Sequence, residues 1–399
     1  MAARPPLALV VLAFLAYVSL GLPDAAPGVA WPAVRETFGR PISSLGALLV
    51  TSVAGYLLAS AFSGRLVQRL GVGVVLAGSG ALVAGGMVGY ALAPAWEVMV
   101  GFALLAGLGA GAIDASLNVY AAHRFRPRLI VWLHGCWGIG AVAGPLIMAA
   151  AMAGSPQGWR WGYGLLAGLI GAMTLGFLLT VRRWDEDDGN GGDPPLAGEP
   201  AAPATVPFAV ALRRRGVWMN VAQFFVYTGL EISVGAWVTS LMAESRGVPR
   251  AQAGQATALY FGSITAARFV VGSFANRVPS ETIVRCCTVA APLLLLPIWL
   301  TRAYGVNLAA LMLLGACLAP LFPLWTSLTP QRLGATLTVH AVGLQMAAGA
   351  LGMSLIPGLL GYVARGFGLE ALPIAFIGLS LLLVAIHEVA RRSGTLERA

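Results

Sequence analysis

Twelve long apolar runs dominate this 399-residue chain and decide its fold class. Hydrophobic residues make up 58% of the sequence and charged residues 10%, whereas an ordinary soluble domain has roughly 25% charged residues. A helix needs about 20 apolar residues to cross a bilayer, so runs of this length predict transmembrane helices. They lie at 7–36, 44–66, 72–94, 97–122, 129–153, 162–182, 214–242, 251–275, 282–301, 306–328, 334–362 and 371–390. We therefore predict an all-α integral membrane protein with twelve transmembrane helices.

A polar stretch after the sixth run divides the chain into halves. Residues 184–212 contain the acidic run Asp185–Asp188 followed by glycine, proline and alanine, a composition typical of a flexible linker. We predict an N-terminal six-helix half over 1–183, this linker in the cytoplasm, and a C-terminal six-helix half over 213–399. Arginines concentrate in the predicted loops on the linker's side, which the positive-inside rule assigns to the cytoplasm. We expect both termini there, in a multi-pass protein of the cell's inner (plasma) membrane.

The two halves repeat each other at the ends of their second helices. Gln68 and Arg69 follow Gly64 at the end of the second run, and Asn276 and Arg277 follow a glycine at the same spacing at the end of the eighth. Duplicated six-helix units give pseudo-symmetric halves, and such internal repeats are typical of secondary transporters. We predict that these two polar pairs take part in gating.

An acid interrupts the first apolar run. Asp24 lies among prolines and glycines, and a carboxylate at membrane depth costs about 2.5–3.5 kcal/mol on insertion scales. Such a residue is expected to face a cavity, in a helix that the prolines break. Glu231 takes the matching place in the seventh run, and a tryptophan follows each acid, Trp31 and Trp237. Matching acids in broken helices of both halves indicate a transport site between the halves.

A second acid lies in the fourth run, where Asp114 and Asn118 share one helix face at i,i+4 spacing. A carboxylate beside an amide offers both donors and acceptors to a hydroxylated solute. The other interpretation of this pair is a polar seam that holds helices together. For Asp24 the alternative is a neutral acid bonded to backbone that Pro27 leaves free, and for the tryptophans it is anchoring at the membrane interface.

Several motifs together resemble the major facilitator superfamily over the whole chain. GRLVQRLG at 64–71 is similar to the superfamily's signature loop between helices 2 and 3, with Gln68 where an aspartate is usual. Within the superfamily, the first-run acid and three further motifs are similar to the fucose–galactose–glucose:proton symporters, the fucose permease family. These motifs are GLGAGAIDASLN at 107–118, HGCWGIGAVAGP at 134–145 and YTGLE at 227–231.

The resemblance implies a major facilitator fold and two acids, in helices 1 and 4, that take part in sugar binding and proton coupling. Asp24 and Asp114 stand at those positions, and Asp114 is one methylene shorter than the glutamate of fucose permease. We predict proton coupling at Asp24, Asp114 and Glu231. We predict substrate binding at Asp24, Asn118, Trp31, Tyr227, Glu231, Trp237 and Gln345.

One arginine and two histidines also lie inside the apolar runs: Arg268, His134 and His340. Counted along straight helices from the predicted cytoplasmic ends, Glu231 is about 26 Å deep and Arg268 about 10 Å deep, which argues against a pair between them. Arg268 is then a gating residue that pairs with Asp114, or it extends to the membrane interface. His134 and His340 either relay protons or anchor helix ends.

These observations favour a transporter over an enzyme. The sequence shows no nucleophile–base constellation, phosphate loop or metal-ligand cluster, so we expect no catalysis, cofactor or metal. Basic loops account for the net charge of +9 without nucleic acid. We predict a monomeric secondary active transporter in the lipid bilayer that moves a monosaccharide or similar polyol together with protons, by alternating access. The alternatives are a proton-coupled exporter of drugs or metabolites, and a receptor, which would need no buried acids.

Overall fold

The computed structural model describes residues 6–125, 127–155, 157–185, 208–274 and 278–396, and every regular element within these ranges is a helix. Most of the predicted linker lies outside these ranges, as do the predicted gating residues Asn276 and Arg277. The helices before the linker are α1 (Leu7–Thr37), a 3-10 turn (Ile42–Ser44), α2 (Leu45–Leu70), α3 (Val72–Leu92), α4 (Trp96–Arg124), α5 (Pro127–Met152) and α6 (Gly158–Asp185).

The helices after the linker begin with one short helix and continue with longer ones. They are α7 (Phe208–Arg213), α8 (Arg215–Ser240) with a π-helical turn (Leu241–Ser245), α9 (Arg250–Phe274), α10 (Ser280–Leu300), α11 (Tyr304–Leu318), α12 (Leu321–Leu333), α13 (Ala335–Phe367) and α14 (Ala371–Leu396). The predicted twelve spans correspond to these helices when α11 and α12 are taken as one span and α7 is left aside.

Eleven segments of the described residues are long and apolar enough to cross a membrane. The eighth predicted span, α9, has 25 residues but is more polar than the others, because it carries Arg250 and Arg268 together with several amides and hydroxyls. The prediction of an all-α membrane protein is confirmed.

The expected breaks in the first and seventh spans were wrong. α1 continues through Pro23 and Pro27, and α8 continues through Gly229. A proline inside a helix removes one backbone hydrogen bond, and neighbouring helices in a membrane bundle can hold the chain in place despite that loss. The helix is interrupted instead in the tenth span, between α11 and α12.

The chain divides into two compact units. The first unit comprises Met1–Gly191 with Gly235–Gly262, and the second comprises Gly192–Val234 with Ser263–Ala399. The end of α8 and the start of α9 therefore belong by packing to the first unit. The predicted halves, 1–183 and 213–399, remain a prediction about the internal repeat.

Glycines bring the helices of the first unit into backbone contact. α1 packs on α5, and α2 packs on α4. A Cβ at Gly21 would lie 2.0 Å from the carbonyl oxygen of Trp137, and a Cβ at Gly111 would lie 2.2 Å from that of Tyr56. Small residues at such contacts let membrane helices approach closely. These two approaches place Trp137 beside α1 and Tyr56 beside α4.

Two ion pairs join the end of α1 to the turn between α8 and α9 in the first unit. Arg35 contacts both carboxylate oxygens of Glu244, and its Nε donates to Oε1 at 3.3 Å. Arg250 pairs with Glu36. Glu244 lies in the π-helical turn, and Gly28 on α1 lies against the backbone of Ala236 on α8. Charge complementarity and small residues together hold this end of α8 against α1.

In the second unit, α10 packs on α11, α12 and α14, and α13 packs on α12 and α14. The Thr228 hydroxyl donates to the Gly349 carbonyl at 2.8 Å, which links α8 to α13. A Cβ at Gly352 would lie 2.1 Å from the carbonyl oxygen of Phe225, so these two backbones are also in direct contact. The link fixes the face of α8 that carries Tyr227 and Glu231.

Candidate functional site

Asp24 lies on α1 with a tryptophan from α5 beside it. The indole Nε1 of Trp137 donates to Asp24 Oδ2 at 2.7 Å. Asp24 is exposed on the surface of α1. The Trp137 ring is half-buried and lies edge-on to Phe261 at 6.5 Å between centroids. The structure thus places one predicted acid beside an aromatic ring.

Asp114 lies on α4 and accepts hydrogen bonds with both carboxylate oxygens. Tyr56 Oη on α2 donates to Oδ2 at 2.5 Å, and Asn118 Nδ2 donates to Oδ1 at 3.0 Å. Ser60, one turn after Tyr56, donates to the Gly111 carbonyl at 3.2 Å and joins the same two helices. The predicted pairing of Asp114 with Asn118 on one face is therefore present, and Tyr56 completes it.

The two acids of the first unit belong to one polar group, which we call the acid cluster: Asp24, Trp137, Tyr56, Asp114 and Asn118. Asp114 is close enough to Asp24 to interact with its charge, and Tyr56 lies within electrostatic range of both carboxylates.

A buried tyrosine borders the acid cluster. Tyr17 is 2% exposed, its ring lies 5.1 Å from that of His134, and its hydroxyl is within electrostatic range of Asp114. In the part of the chain that the structure describes, no arginine pairs with Asp24 or Asp114. The acid cluster therefore holds two carboxylates bonded only to neutral donors.

The second unit contains a different arrangement, the arginine-bridged cluster, made of Tyr227, Glu231, Arg268 and the carbonyl oxygens of Leu318 and Ala319. Arg268 Nη2 lies 3.4 Å from Glu231 Oε1, and Tyr227 Oη donates to Oε2 of the same carboxylate. Tyr227 Oη also contacts Leu318 O at 3.2 Å, and Arg268 Nε contacts Ala319 O at 3.4 Å. Arg268 thus compensates the charge of Glu231, whereas the carboxylates of the acid cluster are bonded to neutral donors.

Glu231 and Arg268 form the pair that helix depth was expected to exclude. Depth was counted from the predicted cytoplasmic ends of two helices, which do not start at one level. Counted from the turn that joins them, Glu231 precedes Ser245 by about 21 Å of helix, and Arg268 follows Arg250 by about 27 Å. The remaining offset of about 6 Å is one that the long arginine side chain spans. Asp114 and Arg268 lie in different units, and their pairing stays a prediction.

The other predicted substrate-binding residues are packed inside the protein. Trp31 is 1% exposed, donates to Ile42 O at 3.0 Å and lies with its ring 5.4 Å from that of Trp96 at a 55° tilt, the surroundings of a structural anchor. Trp237 is fully buried. Gln345 is buried too, and its Nε2 contacts Thr329 Oγ1 at 3.0 Å.

Two of the predicted gating residues and both predicted relay residues lie near helix ends. Gln68 and Arg69 are exposed on the last turn of α2. His134 is exposed near the start of α5, and His340 is half-buried near the start of α13, with its ring 5.5 Å from Phe208. Their roles stay predictions.

Tyr56 donates a hydrogen bond to Asp114 and Trp137 donates one to Asp24, but the sequence assigned no role to either residue. Sequence reasoning also overlooked His387, which is 1% exposed on α14, with Nδ1 3.0 Å from Gln223 Nε2 and Nε2 3.7 Å from Glu281. Gly21 and Gly111 were the available signal for the first two, because a glycine on an acid-bearing helix marks where a neighbouring backbone approaches. The sequence does not say which neighbour it is.

Comparison with known proteins agrees with this architecture. The chain is 23% identical over 399 residues to bypass of stop codon protein 6 from Saccharomyces cerevisiae, covering 92% of this chain and 78% of that protein. Its structure is similar to that of a D-xylose–proton symporter, with a TM-score of 0.75, 13% identity, and coverage of 96% of this chain and 97% of that one. It is also similar to the nucleoside transporter NupG, with a TM-score of 0.72, 16% identity, and coverage of 96% and 98%.

At these identities the solved structures establish the fold alone. The family itself comes from the sequence, because the profile described as Major Facilitator Superfamily matches residues 10–357 and 219–395. A non-enzymatic, multi-pass membrane transporter of small solutes follows from that match and from the helices described above. This chain belongs to the Major Facilitator Superfamily.

Proposed function

We propose that this transporter moves a monosaccharide or similar polyhydroxylated solute together with protons, by symport and alternating access. The acid cluster supports both parts of the proposal. Its carboxylates and the Asn118 amide offer acceptors and donors to hydroxyl groups, and the Trp137 ring offers an apolar face for a sugar ring. The fold shared with a D-xylose–proton symporter is consistent with such a substrate.

The observation that carries the proposal is the charge of the acid cluster. Asp24 and Asp114 receive hydrogen bonds from Trp137, Tyr56 and Asn118, all of which are neutral donors. A carboxylate that loses contact with water costs several kcal/mol unless a cation or a proton compensates its charge. Any transport step that removes water from Asp24 therefore requires a positive charge to arrive there. A proton supplies that charge when the solute is neutral.

Coupling then follows from thermodynamics. A bound proton shifts the equilibrium between two transport states only if it binds them with different affinities. Water access to Asp24 in one state and its loss in another would produce that difference. Glu231, which the sequence also suggested for coupling, has Arg268 as a charge partner, so we propose the acid cluster as the main proton site.

A pH recording in de-energised membrane vesicles tests this function. The external pH is followed as D-xylose, L-fucose, D-galactose or D-glucose is added, with uridine and the cationic dye ethidium as comparison solutes. Symport down a solute gradient carries protons inward, so the medium should become more alkaline with the transported sugar. Asp24→Asn should abolish the pH change while sugar exchange persists. Uptake of a sugar without any pH change in the wild type would contradict the proposal.

A proton-coupled exporter of drugs or metabolites is the second candidate function. Two carboxylates without an arginine partner, next to Trp137 and Tyr56, also suit an organic ammonium ion, because carboxylates and aromatic faces both attract it. An exporter would reduce ethidium accumulation in expressing cells, and the vesicles would show no pH response to sugars. The same two measurements therefore separate the two functions.

We propose further that the protein is a monomer in the inner (plasma) membrane, with both termini in the cytoplasm. The concentration of arginines in the loops on the linker's side supports the orientation. A single cysteine introduced within residues 184–212, on a background without the native cysteines, should resist a membrane-impermeant maleimide in intact cells and react after lysis. Labelling in intact cells would reverse the orientation.

A further inference from the structure

The break between α11 and α12 leaves a backbone carbonyl without its helical partner. In an α-helix the carbonyl of one residue accepts from the amide four residues later. Residue 323 is a proline, which has no N–H, so Ala319 O loses that donor. Pro320 begins the break and deprives Ala316 O in the same way. An unsatisfied carbonyl at membrane depth costs several kcal/mol, so another donor is needed.

Side chains from two other helices donate to the carbonyl oxygens at the break. Arg268 Nε on α9 contacts Ala319 O at 3.4 Å, and Tyr227 Oη on α8 contacts Leu318 O at 3.2 Å. Both side chains also contact the carboxylate of Glu231, Arg268 at 3.4 Å. Glu231 and the break are thereby joined through one guanidinium and one hydroxyl.

The oxygen atoms of this cluster are of the type that binds cations. Backbone carbonyls at a broken membrane helix, together with a carboxylate, are ligands that transporters use for coupling ions. Here the positive charge is that of Arg268, whose side chain is 24% exposed, while the side chain of Glu231 is 7% exposed. The guanidinium spans both ligand types, because one nitrogen faces the carboxylate and another faces the carbonyl.

We propose that Arg268 is a tethered cation that fills this oxygen-lined site and positions Glu231 and the α11–α12 break. The second unit then carries its compensating charge permanently. The exchangeable cation of transport binds instead at the acid cluster, an assignment that rests on the function proposed above. The tethered cation at Arg268 does not depend on that function. Removal of the Arg268 side chain creates a vacant site with the shape and charge for a free guanidinium ion.

Guanidinium binding to a purified Arg268→Ala variant tests the proposal. Thermal unfolding is measured in detergent with low millimolar guanidinium chloride, and with sodium chloride or choline chloride at the same ionic strength. Guanidinium should raise the unfolding temperature of Arg268→Ala above the values in sodium and choline, with no such selective rise in the wild type. The double variant Glu231→Gln/Arg268→Ala is the matched control, because it lacks the carboxylate and should lose the response. An equal response to all three salts, or an unchanged response in the double variant, overturns the proposal.

A native cysteine gives a second readout of positioning. Cys317 lies two residues before Ala319, and its Sγ donates to the Cys287 carbonyl at 3.0 Å. In a protein whose other three cysteines are serine, Arg268→Ala should speed maleimide modification of Cys317, and guanidinium should slow it again. Arg268→Lys, which keeps the charge, should modify at an intermediate rate and serves if the alanine variant does not fold. A Cys317 rate that Arg268 substitutions and guanidinium leave unchanged would refute the positioning role. Neither assay requires a substrate or a proton gradient, so its failure is distinct from a failure of the proposed transport function.

Discussion

Replacement of Gly111 by alanine tests whether the close approach of α2 and α4 builds the acid cluster. A Cβ at this position would lie 2.2 Å from the carbonyl oxygen of Tyr56 and 2.8 Å from its Cα. Ordinary contact begins at 3.4 Å, so the two helices must separate by about 1 Å. Overpacking of this kind costs about 1–3 kcal/mol, and the gain in helix propensity from glycine to alanine returns at most about 1 kcal/mol. We expect a net loss of about 1–2 kcal/mol of stability.

The control is Gly101→Ala, which makes the same chemical change on the same helix. A Cβ at Gly101 would meet no atom within 4 Å, so this variant should be as stable as the wild type or slightly more stable. Thermal unfolding of both purified variants in detergent gives the comparison, with Gly111→Ala expected to unfold a few degrees lower. Separation of the helices should also lengthen the Tyr56–Asp114 hydrogen bond and weaken binding of the transported solute. Equal unfolding temperatures for the two variants would refute the reasoning.

Three further predictions concern the first unit. Arg35→Glu and Glu244→Arg should each impair transport, and the double exchange should recover part of the loss. A double-mutant cycle of stability should give a coupling energy of about 0.5–3 kcal/mol, and additive losses would exclude a direct pair. Trp137→Phe removes a hydrogen bond to a charged group, worth about 1.5–3 kcal/mol, and should weaken solute binding by freeing Asp24. Trp161→Phe, at a residue that is 76% exposed, should leave binding constants unchanged. Tyr56→Phe should reduce solute-driven proton uptake without preventing membrane insertion, and a wild-type proton signal would remove Tyr56 from the site.

The membrane fold was predictable because the length of each apolar run can be read directly from the sequence. A run of about 20 apolar residues allows few structures other than a membrane-spanning helix. The break in the tenth span was not foreseen, since hydropathy treats Pro320 and Pro323 as part of one apolar run. The breaks expected in α1 and α8 are absent: α1 stays helical through Pro23 and Pro27 because neighbouring helices hold it, and α8 contains no proline and stays helical through Gly229.

The candidate site was predictable in its acids and not in their partners. Asp24 and Asp114 stand out because a carboxylate in an apolar run is costly. Trp137 and Tyr56 do not stand out, since aromatic residues are common in membrane helices, and only the three-dimensional approach at Gly21 and Gly111 brings them to the acids. The pairing of Arg268 with Glu231 could not be predicted from depth along each helix, because the cytoplasmic ends of α8 and α9 do not start at one level.

The central claim is that the transported proton binds at the acid cluster and that Arg268 compensates Glu231. Proton movement driven by a gradient of the transported solute, recorded in proteoliposomes with a trapped pH dye, tests it most directly. Asp24→Asn is compared with the paired variant Glu231→Gln/Arg268→Gln, which removes both charges of the second-unit pair at once. We predict that Asp24→Asn still exchanges solute but moves no protons, while the paired variant still moves protons with any solute that it carries. Full proton movement in Asp24→Asn, or solute movement without protons in the paired variant, would contradict the claim.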